Sequence, residues 1–355
     1  MRRALVVTLA AVGAVTTPYA IAAVTAPAPA TSDDLMAQAR SLFEPIPEQP
    51  PSIPGEEASP AKIELGRMLY FEPRLSESHN ISCNSCHQIG LGGVDMLPTS
   101  LGHKAQRGGR NAPTVLNSAY NTAQFWDGRA KDLVEQAGGP IQNPIEMAIT
   151  HKHAIEMLKG IPGYAKYFAA AFPGEKEPIT IGNVEKAIAA FEATLITPNA
   201  PFDRFLRGDA KALTAEQKEG LRLFIDNGCS GCHNGINVGG GQYAPFGVVE
   251  KPGADFLPPD DKGRFVVTNT PSDEYVFKVP TLRNIALTPP YFHTGKSWDL
   301  NQAVGVMGAS QLGIQLTDDE VTKITDFLHS LTGDQPQVVY PVLPPSTAKT
   351  PQPEF

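Results

Sequence analysis

The arrangement of four cysteines constrains the fold of this 355-residue chain more than any other feature. They form two C-x-x-C-H units, made by Cys83, Cys86 and His87 and by Cys229, Cys232 and His233. In such a unit the two thiols can add to the vinyl groups of a porphyrin while the adjacent histidine binds its iron. The spacing therefore predicts two covalently attached c-type haems, around which the chain must fold.

Three other interpretations compete for these cysteines: a four-cysteine zinc site, a thioredoxin-like redox pair and plain disulfides. A zinc site would have to join pairs that lie 146 positions apart, and it needs no histidine directly after each pair. A redox pair requires a βαβ context, which neither "NISCNSCHQIG" nor "DNGCSGCHNG" provides. Haem attachment is the interpretation that uses the whole pattern.

The first 23 residues, "MRRALVVTLAAVGAVTTPYAIAA", have the pattern of a secretory signal: two arginines, an apolar run and small residues before the cleavage site. We expect export to the periplasm and cleavage near Ala22 or Ala23. Loss of Arg2 and Arg3 takes the net charge from −8 to −10. This acidic balance excludes a nucleic-acid partner, and no later segment is long and apolar enough to span a membrane.

A diverged internal repeat surrounds the two units. "ELGRMLYF" (64–71) and "KEGLRLFI" (218–225) precede them and share a G-x-x-L pattern followed by an aromatic residue. After them, matches recur at a constant offset of 167: Pro113 with Pro280, Thr114 with Thr281, Asn117 with Asn284, Phe125 with Phe292, Gly128 with Gly295 and Leu133 with Leu300. The pattern predicts two copies of one haem domain.

The remaining sequence predicts an all-α, loop-rich fold, because helical periodicity alternates with loops that hold many of the 33 prolines and 32 glycines. Helices are predicted at 183–195, after "TAEQ" (214–217), and at 317–333, with Thr317 and Glu320 as a capping box and Gly333 as the stop. The segment 197–205 links the domains. The expected organisation is a signal peptide (1–23), an N-terminal extension (24–50), a first haem domain (51–197), a second (198–335) and a C-terminal tail, extended or disordered (336–355).

The sixth iron ligands distinguish the two haems. Met307 is the one methionine after Cys229, and a thioether ligand would give the second haem a high potential. His293 and His329 remain as alternatives. The first half offers His79, Met68, Met96 and His103, of which Met68 belongs to an apolar helix, and His79 is too near Cys83 to reach across the ring.

His103 lies in "SLGHKAQRGGRNAPT" (100–114), a loop with no apolar face that would bury it. Its glycines permit rearrangement. As a second imidazole ligand, His103 would give a low-potential haem held by a segment that can leave. One haem would then store an electron, and the other would carry the chemistry.

With these residues in place, the chain resembles a bacterial di-haem cytochrome c peroxidase over about residues 60–315. The matching motifs are "LSESHNISCNSCHQIG", "GHKAQRGGRNAPTVLNSAYNTAQFWDGRA", "QNPIEM", "GCSGCHNG", "VPTLRNIALTPPYFHTG" and "VMG". The resemblance implies that His87 and His103 bind the peroxidatic haem and that His233 and Met307 bind the electron-accepting one. It also implies that reduction of the second haem makes the His103 loop swing away and opens the first iron to peroxide.

The resemblance further assigns Glu146 and Gln136 to the distal pocket and Trp126 to the space between the haems. A carboxylate beside the iron can move a proton between the two peroxide oxygens, as base and then as acid. Only the first repeat holds this set, because Gly313, Ala303 and His293 occupy the equivalent positions of the second. Asn111 and the carbonyls of Thr288 and Pro290 match a calcium site at the domain interface.

These residues predict a periplasmic peroxidase that reduces H₂O₂ to water with two electrons from a mono-haem cytochrome c or a blue copper protein. The family implies a homodimer with two haem c and Ca²⁺. Two alternatives stay open. One is the related di-haem oxidase that completes a tryptophan-derived quinone in a partner enzyme, in which a tyrosine replaces the methionine ligand. The other is a non-catalytic electron-transfer or redox-sensing cytochrome.

Overall fold

Helices form most of the regular structure in the computed structural model, which describes residues 32–53, 55 and 57–354. In chain order, the α-helices of the described residues are α1 (Ser32–Leu42), α2 (Pro60–Tyr70), α3 (Cys83–Cys86), α4 (Leu133–Gln142), α5 (His151–Lys159), α6 (Tyr164–Ala171), α7 (Ile181–Glu192), α8 (Pro201–Leu206), α9 (Ala215–Asp226), α10 (Phe265–Thr268), α11 (Leu300–Met307) and α12 (Asp318–His329). The predicted signal peptide lies outside the described residues. Within them, no helix has the length and apolar character needed to cross a membrane.

Strands contribute little to the fold. The described residues hold a single two-stranded antiparallel sheet, in which β1 (Tyr243–Pro245) pairs with β2 (Val276–Lys278). Tyr243 lies opposite Lys278 in this register. The predicted helical, loop-rich fold class is therefore confirmed, with one short antiparallel strand pair in the second half.

The predicted capping boxes are present, but two predicted helix ends are wrong. The helix predicted at 183–195 is α7, which ends at Glu192. Thr214 with Gln217 and Thr317 with Glu320 exchange the two bonds that satisfy the first N–H groups of α9 and α12. However, α12 ends at His329, four residues before Gly333. Gly333 serves packing instead, because a Cβ there would lie 2.0 Å from the carbonyl oxygen of Thr197.

The shared G-x-x-L pattern marks a helix crossing that occurs twice. In the first half α2 packs on α7, and a Cβ on Gly66 would lie 1.8 Å from the carbonyl oxygen of Ala187. In the second half α9 packs on α12, and a Cβ on Gly220 would lie 1.8 Å from the carbonyl oxygen of Lys323. Both crossings bring backbones so close that only glycine fits.

The offset of 167 is also visible in the backbone. Asn117 and Asn284 both have φ of 59°, and Phe125 and Phe292 both have φ of 67°, which is unusual for a large side chain. Isolated β-bridges recur at the same offset, Gln124 with Ala130 and Tyr291 with Ser297. Two copies of one local structure thus follow the two haem-attachment units.

Two main hydrophobic clusters correspond to the two halves. The first is built from α2 and α4–α7, and the second from α1, α8, α9, α11 and α12. Phe202 and Phe205, from the predicted link, are fully buried in the second cluster. The domain boundary at residues 197 and 198 stays a prediction, since the described residues form one compact unit.

The C-terminal tail is extended and docked on the first half. Leu343 packs against the first hydrophobic cluster, and the ring of Tyr340 lies 4.8 Å from that of Phe71. Arg74 donates to the carbonyl of Pro344, and the Thr350 hydroxyl donates to the carbonyl of Gly160 at 2.9 Å. Of the two states that the sequence left open, the described tail residues adopt the extended one.

Candidate haem cavities and active site

The first C-x-x-C-H unit opens onto a cavity of about 360 Å³, whose wall includes Cys83, Cys86 and His87. The two cysteines begin and end α3, and the N–H of His87 donates to the carbonyl of Cys83 at 2.9 Å. His87 Nδ1 lies 3.0 Å from the carbonyl oxygen of Pro113, and the Tyr70 hydroxyl donates to the His87 carbonyl at 2.5 Å. An imidazole held through Nδ1 presents its other nitrogen as an iron ligand.

Three residues assigned to peroxide handling line this first cavity: Gln136 on α4, Glu146 in the following loop and Trp126. Asn143 Nδ2 donates to Glu146 Oε1 at 2.7 Å. Burial raises the pKa of the Glu146 carboxyl, while Arg129 and the Asn143 bond act in the opposite direction. A partly buried carboxyl whose pKa lies nearer to neutrality is suited to exchange protons with a ligand in the cavity.

His103 lies beside the first cavity but does not belong to its wall, although the preceding residue, Gly102, does. The expectation that its loop would leave it unburied is wrong: the side chain is only 7% exposed, and Nδ1 has no hydrogen-bond partner. Its N–H donates to the carbonyl of Glu146 at 2.7 Å. Lys104 and Ala105 follow with φ of 58° and 56°, a strained backbone for residues other than glycine.

The other candidate ligands of the first half lie elsewhere. Met68 is fully buried in the first hydrophobic cluster, as predicted for a core residue. Neither His79 nor Met96 lines the cavity. His79 Nε2 is buried without a hydrogen-bond partner.

The second C-x-x-C-H unit opens onto a separate cavity of about 230 Å³, whose wall includes Cys229, Cys232, His233 and Met307. Burial lowers the pKa of His233 to about 4, so the imidazole is neutral at pH 7 and able to bind a metal. Met307 ends α11 and leads into a π-helical turn, Gly308–Leu312. His293 lines the same cavity, whereas His329 is exposed on α12.

Both cavities suit a covalently bound haem. All four thiols are free and partly buried, and each C-x-x-C-H pair lines its own cavity, which separates the pairs that a four-cysteine zinc site would join. Apolar side chains dominate the second wall, and charged groups are concentrated in the first. In the described residues, no cluster of three or more His, Cys, Asp or Glu side chains could hold a bare metal ion.

Trp126 lines both cavities. Its Nε1 donates to the carbonyl of Asn111 at 2.9 Å, and its carbonyl accepts from the N–H of Lys278 at 2.7 Å. The indole ring lies 6.1 Å from the ring of His293. These contacts fix Trp126 on the wall that the two cavities share; its role between two haems stays a prediction.

The three residues assigned to calcium, Asn111, Thr288 and Pro290, line the second cavity together. Asn111 Nδ2 donates to the carbonyl of Leu97 at 2.9 Å, which leaves Oδ1 for another partner. An amide oxygen and two carbonyls are hard oxygen donors of the kind that Ca²⁺ prefers. The calcium site stays a prediction.

Charged residues that the sequence analysis did not single out also surround the cavities. Arg110 bridges Asp127 at 2.8 Å and Asp261 at 2.6 Å, so it ties the two halves together. Arg110, Asp127 and Arg129 fall inside quoted motifs, so position in a motif was an available signal. Two buried ionisable residues also lie on the cavity walls, Glu192 on the first and Lys278 on the second. Their sequence neighbours gave no indication that they would be buried there.

A helical chain with two C-x-x-C-H cavities, each in its own repeat, is a di-haem c-type cytochrome. The family model for di-haem cytochrome c peroxidase matches residues 60–211, and that for cytochrome c matches residues 217–332. Cytochrome c551 peroxidase of Pseudomonas aeruginosa is 56% identical over 324 residues, which cover 91% of this chain and 94% of that protein. The chain belongs to the di-haem cytochrome c peroxidase family; it is an oxidoreductase, and its family membership implies two haem c groups.

Other relatives agree with this assignment. Cytochrome c551 peroxidase of Nitrosomonas europaea is 52% identical, with 81% of this chain and 85% of that protein covered. The methylamine utilization protein MauG of Methylorubrum extorquens is more distant, at 34% identity with 91% and 92% covered. Among solved structures, a MauG-like protein associated with microbial copper homeostasis matches with a TM-score of 0.71 at 27% identity, covering 81% of this chain and 95% of that one.

Proposed function

We propose that this enzyme reduces H₂O₂ to two waters in the periplasm, with two electrons delivered singly by a mono-haem cytochrome c or a blue copper protein. The observation that carries the proposal is the convergence of Gln136, Glu146 and Trp126 on the cavity that contains His87. The second cavity has no carboxyl group among its described wall residues. Peroxide chemistry therefore belongs to the first site and electron transfer to the second.

Glu146 is the proton carrier of the proposed reaction. Asn143 holds Oε1, and Oε2 has no hydrogen-bond partner among the described residues, so it is available to the substrate. The carboxylate accepts a proton from one peroxide oxygen and returns it to the oxygen that leaves as water. Gln136 orients the substrate through its amide. Bound haem supplies the redox chemistry of the reaction.

Electrons reach the first site through the second. His233 and Met307 provide an imidazole and a thioether on one cavity wall, the ligand pair that gives a cytochrome a high potential. Trp126 belongs to both walls, and we assign it as the residue through which electrons pass between the sites. This arrangement supports an electron-accepting role for the second haem.

His103 is the proposed removable ligand of the first haem. It lies next to the cavity without lining it, on a segment with two strained residues, Lys104 and Ala105. We propose that this is the displaced position, in which the first iron is open to peroxide, and that a ligated position exists in the oxidised enzyme. The proposal also includes a calcium ion bound by Asn111, Thr288 and Pro290. The enzyme is proposed to act as a homodimer.

The decisive experiment is peroxide-dependent oxidation of a reduced donor cytochrome by Glu146→Gln, measured on fully oxidised and on half-reduced enzyme. We expect turnover to fall about 10²-fold or more, since removal of a positioned general base has effects of that size. Glu156→Gln, on the exposed face of α5, is the matched control and should retain full activity. Wild-type enzyme should turn over only after partial reduction.

Two results would count against the proposal. Equal turnover by Glu146→Gln and wild type would remove Glu146 from the mechanism. A wild-type enzyme that stays six-coordinate and low-spin in the half-reduced state, without peroxide turnover, would indicate a non-catalytic electron-transfer cytochrome.

A further inference from the structure

Lys278 is a buried cation without a counter-ion. It ends β2 on the wall of the second cavity, and it is only 6% exposed. Its backbone N–H donates to the carbonyl of Trp126 at 2.7 Å, which fixes the strand beside the inter-haem tryptophan. Its side-chain ammonium makes no hydrogen bond or ion pair with any described residue.

The second cavity offers this ammonium no anion. No aspartate or glutamate lies among the described residues of its wall. The two histidines there, His233 and His293, supply no negative charge. Burial lowers the pKa of Lys278 to about 8, yet at pH 7 most of it still carries its charge. A buried charge without a partner is strongly unfavourable, so the fold leaves a place for an anion.

A haem carries two propionate carboxylates and is the anionic group that this cavity is built to receive. We propose that Lys278 pairs with a propionate of the haem in the second cavity and that its positive charge raises the reduction potential of that haem. The inference rests on the proposed ligation by His233 and Met307 and deepens it. It makes Lys278 a residue that sets which haem accepts the first electron.

The repeat supports this assignment. At the offset of 167, the first copy has the neutral Asn111 where the second has Lys278. The first cavity instead mixes the acidic Asp127, Glu146 and Glu192 with two arginines. A positive charge close to an iron favours its reduced state, whose net charge is lower, and a carboxylate has the opposite effect. The second copy thus carries one unpaired positive charge, whereas the acidic groups of the first are balanced by its two arginines.

The test is a spectroelectrochemical titration of the holoenzyme with Lys278→Met, Lys278→Arg and Lys296→Met. Lys278→Met should lower the equilibrium constant for reduction of the second haem at least tenfold, which is about 59 mV for one electron. Lys278→Arg keeps the charge, so the reduction potential of its second haem should stay close to that of wild type. Lys296→Met removes the same charge from an exposed position of the same half and should change little.

A second readout is the resonance Raman bending band of the haem propionates, which reports their hydrogen bonding. It should shift in Lys278→Met and not in Lys296→Met. If Lys278→Met does not fold, Lys278→Gln removes the charge while keeping a polar side chain, and the same potential shift is expected. An unchanged potential and an unchanged propionate band in a folded variant would overturn the inference.

The proposed ligation is tested separately in the same samples. The near-infrared charge-transfer band of oxidised wild-type enzyme reports methionine coordination. Its absence would refute the role of Met307, whatever Lys278 does. Its presence, together with a potential that is insensitive to Lys278→Met, would refute the Lys278 inference alone.

Discussion

Two carboxyl groups on the wall of the first cavity differ because their neighbours differ. Glu146 accepts a hydrogen bond from Asn143 and lies in the field of Arg129, and both oppose the effect of burial on its pKa. Glu192 is fully buried with an unpartnered Oε2, and burial alone raises its pKa to about 8. Glu192 is therefore mostly protonated at pH 7 and acts as a neutral polar group, whereas Glu146 retains the ability to exchange a proton.

Glu192→Gln should change the pH dependence of stability. A carboxyl with a pKa of about 4.5 when unfolded and about 8 when folded stabilises the native state below pH 4.5, and this contribution is lost as pH rises from about 4.5 through 8. The melting temperature of the variant minus that of wild type should therefore be near zero at pH 5 and clearly positive at pH 9. Each pKa unit corresponds to roughly 1.4 kcal/mol.

Glu156→Gln, in which an exposed carboxyl is removed, should show no such trend. Calorimetry of the holoenzymes at the two pH values measures both differences. A difference for Glu192→Gln that is the same at pH 5 and pH 9 would contradict a raised pKa.

At the level of elements, each haem domain depends on one glycine-mediated helix crossing. The close approach of α2 to α7 at Gly66 and of α9 to α12 at Gly220 places the C-terminal helix of each half directly on the helix that precedes its haem unit. Phe191 and Phe327 occupy equivalent positions next to these glycines. The conserved geometry between copies explains why the G-x-x-L pattern was recognisable while the surrounding sequence diverged.

Gly66→Ala should destabilise the first half by roughly 1–3 kcal/mol or more, because the added methyl would overlap the backbone of α7. Gly182→Ala is the matched control on α7 itself: nothing lies within 4 Å of its Cβ position, so the change should be neutral or stabilise by up to about 1 kcal/mol. Denaturant unfolding followed by circular dichroism measures both. Equal stability of the two variants would show that the crossing tolerates a side chain.

Over the described part of the molecule, the first and last segments each pack on the half to which they are not adjacent in sequence. Leu35 and Phe43, in and just after α1, belong to the second hydrophobic cluster, although α1 precedes the first haem domain. The tail that follows α12 docks on the first half through Arg74, Gly160 and the Leu343 contact. The two halves are therefore held together by α1, by the tail and by the ion pairs of Arg110 with Asp127 and Asp261.

Removal of residues 337–355 should lower the thermal stability of the holoenzyme and make its first half sensitive to proteolysis. The truncation exposes part of the first cluster and leaves the Gly160 carbonyl without the Thr350 hydroxyl. In a domain of this size, each kcal/mol lost lowers the melting temperature by roughly 2–4 °C. Val342→Ser, at a tail residue that is 93% exposed, should leave stability unchanged. An unaltered melting temperature after truncation would show that the docked tail contributes nothing.

Much of the candidate site was predictable, because covalent haem attachment depends on residues that are adjacent in sequence. The structure gathers Cys83, Cys86 and His87 on one wall and Met307 with His233 on another, as the sequence implied. The roles of Glu192 and Lys278 were not predictable. Their burial and lack of partners depend on segments distant in sequence, and neither lies in a motif that marks such an environment.

The sequence by itself determined two haem units, their internal repeat, the helical fold class and the capping boxes at Thr214 and Thr317, because each depends on spacings of a few residues or on the similarity of two copies. Tertiary structure alone decided the burial of His103, the packing role of Gly333 and the docking of the tail. The physical reason is that burial and charge are set by whichever distant segment packs against a residue, and local sequence does not specify that segment.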